Sequence, residues 1–204
     1  VRLTNELIKY KDKIKVIEHP DYAGEALAMR VDAPPFDNQK VRLALNLAVD
    51  RAAISKQIYG GHADFPHLPM DETWEGYFTP PEKMPNEARE VLQYDPAKAK
   101  KLLAEAGLAN GFEFKAQVPS FPEQLKKAQI VAGYLSAIGV KMTIEPKEYG
   151  AFLSLMTTGK HGPGYWHFAG MSNPTASIEK LYRSYSVWNS ARVNDPKVDA
   201  ALDT

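Results

Sequence analysis

Short segments rich in apolar residues, several of them alternating with polar ones, predict five β-strands. They cover residues 13–18, 25–31, 112–118, 140–145 and 165–168. Alternation with a period of two places one face of a strand on a core and the other in solvent. Pro34 and Pro35 end the second of these segments. The strands therefore have defined ends as well as a defined buried face.

Helical patterns lie between the strands. They cover residues 3–10, 38 to about 50, 51–59, 97–106, 122–138, 148–158 and 175–185, with an apparent helix after Pro196. Asp37, Asp50 and Asp95 are each placed to cap a helix N-terminus. Ala44 and Ala48, four residues apart, would let another element approach the second helix closely. Helices that alternate with strands through short turns predict a mixed α/β layer fold.

Residues 62–90 interrupt this alternation. The stretch contains five prolines together with Trp74, Tyr77 and Phe78. Because proline removes a backbone donor and fixes one backbone angle, a regular element is not expected here. A long surface loop packed by its own aromatic side chains is favoured over a lid or a docking surface.

Composition and charge exclude several classes of function. The 204 residues contain 25 Lys and Arg and 25 Asp and Glu, so no basic surface for nucleic acid is indicated. The longest apolar stretches reach about seven residues, whereas a membrane-spanning helix needs about 20. The absence of cysteine excludes disulfides, thiolate nucleophiles and cysteine-based metal sites.

Motifs for catalysis are missing from the chain. It has no Gly-x-Ser-x-Gly elbow, no His-Glu-x-x-His pair and no phosphate-binding loop. His161 with His167, and His62 with His67, could suggest a metal, but such pairs in loops are usually incidental. We therefore expect no enzyme activity, no cofactor and no metal site.

Three segments in this order resemble the family 5 extracytoplasmic solute-binding proteins, the dipeptide, oligopeptide and nickel-type receptors of ABC importers. The segments are residues 35–51, 94–107 and 137–140. The resemblance implies the α/β fold of a type II periplasmic binding protein lobe, the second of two lobes that close over a solute. Residues 1–204 would form this C-terminal lobe. The first lobe would precede Val1, and the returning strands would follow Thr204.

The resemblance also implies a function and partners. The protein would capture a peptide-like or other small polar solute in the cleft between lobes and deliver it to an ABC permease. It would act as a monomer outside the cytoplasm, lipid-anchored or free, without binding nucleic acid. The alternative is a protein-interaction or chaperone-like module on the same scaffold.

Two aromatic residues are candidate solute contacts. The resemblance places Phe121 and Tyr149 in the cleft, each in a loop that follows a strand. Pro119 stands where peptide-binding members carry an arginine, and proline cannot pair with a carboxylate. The other interpretations are packing of Phe121 on Tyr134, and a capping or packing role for Tyr149.

The third candidate region follows the strand at 165–168. Trp166 and His167 should point to opposite faces, one into the core and one into the cleft. Gly170, Met171 and Asn173 occupy the run where peptide-binding members carry an aspartate for the ligand's ammonium group. No acidic residue occurs between Lys160 and Glu179. We therefore expect the solute not to be a simple zwitterionic dipeptide.

Overall fold

A computed structural model of the protein describes residues 9–10, 12–15, 23–61, 63, 76–170 and 173–203. Its central feature is a four-stranded sheet in the order β1-β4-β2-β3. The strands are β1 (Ala23–Met29), β2 (Phe112–Pro119), β3 (Val140–Lys147) and β4 (Gly164–Gly170). Strand β2 runs parallel to both β3 and β4, and β1 runs antiparallel to β4.

Helices connect and cover the strands. In chain order they are α1 (Gln39–Leu47), α2 (Arg51–Tyr59), a 3₁₀ turn (Pro81–Lys83), α3 (Asn86–Glu90), α4 (Pro96–Glu105), α5 (Pro122–Ser136), α6 (Tyr149–Thr157), α7 (Pro174–Tyr182) and α8 (Pro196–Leu202). Within the described ranges, none of them combines the length and the apolar character that crossing a bilayer requires. The alternating α/β pattern expected from the sequence is confirmed.

Two expectations about local structure were wrong. Asn38, not Asp37, is the N-cap of α1, and its side chain accepts a hydrogen bond from the Lys40 amide at 2.9 Å. Residues 81–83 and 86–90 are helical, although a loop was expected. Proline is accepted in the first turn of a helix, where its missing N–H has no partner to lose, so the prolines at 80–85 begin these short turns.

Other predicted segments lie partly outside the described residues. This applies to residues 3–8 of the first helical pattern, to residues 16–18 of the first strand pattern and to most of the loop between 62 and 75. Of the expected first strand, residues 13–15 form a turn and irregular chain instead. Lys13 and Ile14 both donate backbone hydrogen bonds to the Tyr10 carbonyl in that turn.

One face of the sheet forms the main core with helices α1, α4 and α5. Phe36, which precedes α1, packs edge-on against Phe114 of β2 at 5.0 Å between ring centroids. Ala44 and Ala48 are buried, and α1 packs against α4. The Asp95 amide, just before α4, donates a hydrogen bond to the Leu47 carbonyl at 2.9 Å. The small residues of α1 therefore permit the close approach that the sequence predicted.

The other face of the sheet is divided into two halves. Over β4, Tyr165 stacks on Phe152 of α6 at 4.3 Å, and its hydroxyl donates to the Phe152 carbonyl at 3.0 Å. Over β2 and β3 this face is polar and carries ion pairs between Lys141 and Glu113 at 2.9 Å and between Lys115 and Glu145 at 3.1 Å. Helix α6 therefore packs on the part of this face where β2 and β4 meet, and it buries Tyr165 there.

Candidate functional site

The parallel arrangement of β2, β3 and β4 brings the carboxyl ends of these strands to one edge of the sheet. Ligands of open α/β sheets bind outside the carboxyl ends of the strands. The loops that follow β2 and β3 lie side by side here, and the Ser120 amide donates a hydrogen bond to the Lys147 carbonyl at 2.8 Å. Phe121 is the N-cap residue of α5, and Tyr149 is the first residue of α6, so each stands where a loop enters its helix.

Phe121 and Tyr149 form an exposed aromatic pair at this edge. Their ring centroids are 5.3 Å apart, and the two residues remain 44% and 42% exposed. Tyr149 also stacks on Phe152 at 6.4 Å, which in turn stacks on Tyr165. Aromatic rings therefore continue from the surface pair into the core, which supports the pair from below. Tyr134, the alternative partner considered for Phe121, packs against Tyr94 at 6.0 Å.

Glu148 adds a carboxylate beside Tyr149. It is the N-cap of α6, and its Oε2 accepts a hydrogen bond from the Ala151 amide at 3.1 Å. Hydrogen bonds from the Gly150 and Ala151 amides lower the pKa of this carboxyl group. The capping role considered for this region therefore belongs to Glu148, while the ring of Tyr149 packs against Phe121 and Phe152 and stays partly exposed.

Trp166 is buried on the α5 side of the sheet. Its Nε1 donates a hydrogen bond to Glu25 Oε2 at 2.9 Å. The paired residue on β1 is Leu27, on the same face. The indole is thus held by a carboxylate of the neighbouring strand.

His167 points to the opposite face, as the strand period predicts, and is also buried. Its Nδ1 shares a hydrogen bond with Ser190 Oγ at 2.9 Å, whereas Nε2 has no hydrogen-bond partner among the described residues. Burial lowers the pKa of His167 to about 4, and the charges of Lys180 and His161 add to this effect. Both Trp166 and His167 are thus enclosed by the protein.

The remaining candidates lie at the end of β4. Gly170 is the last residue of the strand, where it pairs with Ala23. Asn173 caps α7, with its Oδ1 accepting from the Ala176 amide at 2.8 Å. Met171 lies outside the described residues. Pro119 is buried at the end of β2 and pairs with Lys147.

A polar cluster behind the edge was not anticipated from the sequence. Glu25 Oε1 accepts hydrogen bonds from Lys127 Nζ at 2.7 Å and from Gln124 Nε2 at 3.3 Å. One sequence signal for it existed. Glu25 shares a strand face with Leu27 and Met29, so a carboxylate stands where the period of two demands a buried apolar residue.

The histidine pairs do not form a metal site where the structure describes them. His161 is buried, and its Nδ1 donates to the Gly162 carbonyl at 3.0 Å. In the described part of the chain, no three His, Asp or Glu side chains are grouped so as to hold a metal ion. His62, Asp64 and His67 lie outside the described residues.

The sheet order and the surrounding helices are those of a lobe of a type II periplasmic binding protein. A sequence model of the bacterial extracellular solute-binding proteins, family 5, matches residues 3–189. The chain belongs to this family.

The similar proteins are named as binding proteins rather than as enzymes. Heme-binding protein A of Haemophilus influenzae is 31% identical over 204 residues, covering 96% of this chain and 36% of the relative. The dipeptide-binding protein of Escherichia coli is 31% identical over 159 residues, covering 76% of this chain and 28% of the relative. The structure of HbpA2 from Haemophilus parasuis matches with a TM-score of 0.83 and 25% identity, over 98% of this chain and 40% of that protein. The chain therefore spans about a third of these relatives.

Proposed function

We propose that residues 1–204 form the C-terminal lobe of a solute receptor that serves an ABC importer. This lobe supplies one wall of a cleft, a second lobe supplies the other, and closure buries a small polar solute between them. The loaded receptor delivers the solute to a membrane permease. It works outside the cytoplasm, either free or attached to lipid, and as a monomer.

The observation that carries this proposal is the exposed aromatic pair at the carboxyl edge of the sheet. Large aromatic rings are costly to leave in water, and here two of them are half-exposed side by side. A solute that covers both rings removes apolar surface from water, which stabilises the complex by roughly 25 cal/mol per Å². The Tyr149 hydroxyl and the Glu148 carboxylate provide polar contacts at the same place.

The remaining candidate residues have different positions relative to this wall. Gly170 and Asn173 would form its rim at the end of β4, and Met171 is kept as a candidate contact from the sequence. Trp166 and His167, both buried, would shape the wall from within rather than touch the solute at its surface. This division follows from their hydrogen bonds to Glu25 and Ser190.

The two charged contacts that the resemblance to peptide-binding members implies are missing from the sequence, since Pro119 replaces the arginine and no acidic residue occurs between Lys160 and Glu179. Pro119 cannot bind the carboxylate end. Glu25 is the carboxylate behind the aromatic pair, and both of its oxygens already accept hydrogen bonds from protein groups. A buried ammonium group without a carboxylate partner would cost several kcal/mol. The relatives bind solutes as different as heme and dipeptides by their names, so the solute class follows from the site rather than from the family.

The test uses the complete receptor purified from its own organism and from a heterologous host. Native mass spectrometry identifies any solute that copurifies, and melting temperatures are then recorded with that solute, heme and the dipeptide Met-Leu. A ligand at 100 times its Kd adds about 2.7 kcal/mol to the stability of the folded state. A receptor that gains no stability from any small molecule would instead support an interaction module.

The variant Tyr149→Ala locates the site within the lobe. We expect its solute affinity to fall about tenfold or more while its melting temperature changes little, since a lost stacked aromatic contact is worth about 1 kcal/mol beyond its buried area. Phe121→Ala should behave alike. Tyr94→Ala is the matched control, because Tyr94 is another exposed ring paired with a tyrosine. Equal losses of affinity and stability would indicate a structural role for Tyr149.

A further inference from the structure

The polar cluster behind the aromatic pair joins three elements of the fold. Glu25 lies on β1, Trp166 on β4, and Gln124 and Lys127 on the first two turns of α5. Both oxygens of the Glu25 carboxylate are used, at 2.7 and 3.3 Å from the nitrogens of α5 and at 2.9 Å from the indole nitrogen. One carboxylate therefore ties the start of α5 to two strands.

This ion pair is withdrawn from water. The side chain of Lys127 is 10% exposed and that of Glu25 is 22% exposed. Lys127 Nζ also pairs with Glu123 Oε1 at 2.7 Å and lies 5.2 Å from the centre of the Tyr59 ring. Burying two charges has a desolvation cost that can equal their attraction, and apolar residues of similar size often stabilise as well. Stability alone is therefore a weak reason for this pair.

The pair sits where it can control the position of Phe121. Phe121 is the N-cap residue of α5, and its side chain has no polar atom with which to make a capping hydrogen bond. Its backbone carbonyl accepts from the Leu125 amide at 3.0 Å, so Phe121 moves with the first turn of the helix. Gln124 and Lys127, which both donate to Glu25, lie on the first two turns of the same helix.

We propose that Glu25 and Lys127 are positioning residues for the aromatic pair. They hold the first turns of α5 against β1 and β4, and so they keep the ring of Phe121 beside that of Tyr149. They act through Phe121 and do not contact the solute. The relevance of this device to solute capture rests on the proposed function, but the ring contact itself does not.

The ring contact can be measured without any solute. Deuterated complete receptor, protonated only at its Phe and Tyr rings, is examined by NMR for cross-peaks between Phe121 and Tyr149, which the single variants Phe121→Leu and Tyr149→Leu assign. The test variants are Lys127→Met and Glu25→Gln, which remove one charge each with little change of shape. Lys141→Met is the matched control, because it removes a lysine from an exposed ion pair with Glu113.

We expect the cross-peaks to be lost in Lys127→Met and in Glu25→Gln, and to be retained in Lys141→Met. Lys127→Arg keeps the positive charge and should therefore retain the cross-peaks between Phe121 and Tyr149. Leu103→Ala removes a buried side chain on α4 and lowers stability without touching the cluster, so it should also retain them. If Lys127→Met does not fold, Glu25→Gln alone decides. The glutamine amide has one accepting oxygen in place of two, so it cannot serve the Trp166 indole and the α5 side chains Gln124 and Lys127 together.

Unchanged cross-peaks in the charge-removing variants that fold would overturn the positioning role, even if the receptor binds its solute. Loss of the cross-peaks in Leu103→Ala as well would also overturn it, since any destabilisation would then suffice. A receptor that binds no solute, yet loses the ring contact in Lys127→Met, would contradict the proposed function and leave this inference intact.

Discussion

At the scale of single residues, His167 is a buried base that the fold keeps neutral. Its imidazole is enclosed between the sheet and the segment that contains Ser190. The nearby side chains of Lys180 and His161 make protonation of His167 less favourable, because they would repel its positive charge. The Nε2 atom of this ring has no hydrogen-bond partner among the described residues. Protonation of the ring would therefore leave a buried cation with no carboxylate hydrogen-bonded to it.

This arrangement predicts a loss of stability in mild acid. In the unfolded chain the pKa of His167 is near 6.5, and in the folded protein it is lowered to about 4. The stabilising contribution is therefore complete above pH 6.5 and is lost as the pH falls toward 4. Between pH 7 and pH 5 the loss should be about 2 kcal/mol, at 1.36 kcal/mol per pKa unit.

Urea unfolding of the protein and of His167→Gln at these two pH values checks the prediction. Glutamine has no proton to gain in this range, so the variant should have a flatter pH dependence than the parent protein. His161, whose pKa burial also lowers, remains in both proteins, and its contribution cancels in the comparison. Identical slopes for the two proteins would contradict the account.

Gly111 leaves no room for a side chain. It has φ +75°, and a Cβ built on it would lie 1.8 Å from the Gly139 carbonyl oxygen. Gly107 has a similar φ of +79° but nothing within 4 Å of its Cβ position. Gly107→Ala should therefore lower the free energy of unfolding by about 1–2 kcal/mol, because alanine is strained in the left-handed conformation. We expect Gly111→Ala to cost clearly more, as measured by chemical denaturation, and equal costs would contradict the predicted clash.

At the scale of the elements, N-caps set the helix boundaries. Asp50 accepts from the Ala53 amide at 2.8 Å and Asp95 from the Lys98 amide at 2.9 Å. Both caps were predictable, because a short acidic side chain directly before an apolar helical pattern has a local and specific role. Asp37 was assigned the same role by the same reasoning, but the chain enters α1 one residue later, at Asn38.

The two aspartates allow a matched mutation. Asp95→Ala should destabilise the protein by about 1 kcal/mol, because the amides of the first turn of α4 lose their acceptor. Asp37→Ala should change the free energy of unfolding little, since Asp37 is exposed and does not cap α1. Thermal unfolding of both variants checks this. A larger effect at Asp37 would mean that the cap assignment of α1 is wrong.

What the sequence did not predict depends on contacts between distant residues. Glu25 meets Gln124, Lys127 and Trp166 across 99, 102 and 141 positions of sequence. Period and capping report only the neighbourhood of a residue, so neither the sheet order nor this cluster could be derived from them. For the same reason, the sequence allowed Tyr134 as a packing partner of Phe121, whereas the fold places Phe121 beside Tyr149.

At the scale of the whole molecule, the carboxyl edge has a chemical character that the family name does not determine. It carries two exposed rings, a capping carboxylate at Glu148 and Pro119 at the end of β2. The Glu25 carboxylate is engaged by Lys127. If the edge binds a solute as proposed, we expect this combination to favour one with a flat apolar part and hydrogen-bonding groups over one with two opposite terminal charges.

We therefore expect the complete receptor to show no tight binding of zwitterionic dipeptides. Isothermal titration calorimetry with Met-Leu and with its N-acetylated form checks this, because acetylation removes only the ammonium group. Both should bind weakly or not at all. Tight binding of several dipeptides that acetylation abolishes would show that the site does recognise an ammonium group.

The outer border of the sheet has a consequence for how the molecule behaves among copies of itself. Strand β3 pairs with β2 on one side and, among the described residues, with no strand on the other. Pro146 on this strand has no N–H to offer an arriving chain, and the ammonium groups of Lys141 and Lys147 discourage close stacking. An open border of this kind is a template for pairing with a second copy, and these three side chains work against such edge-to-edge pairing.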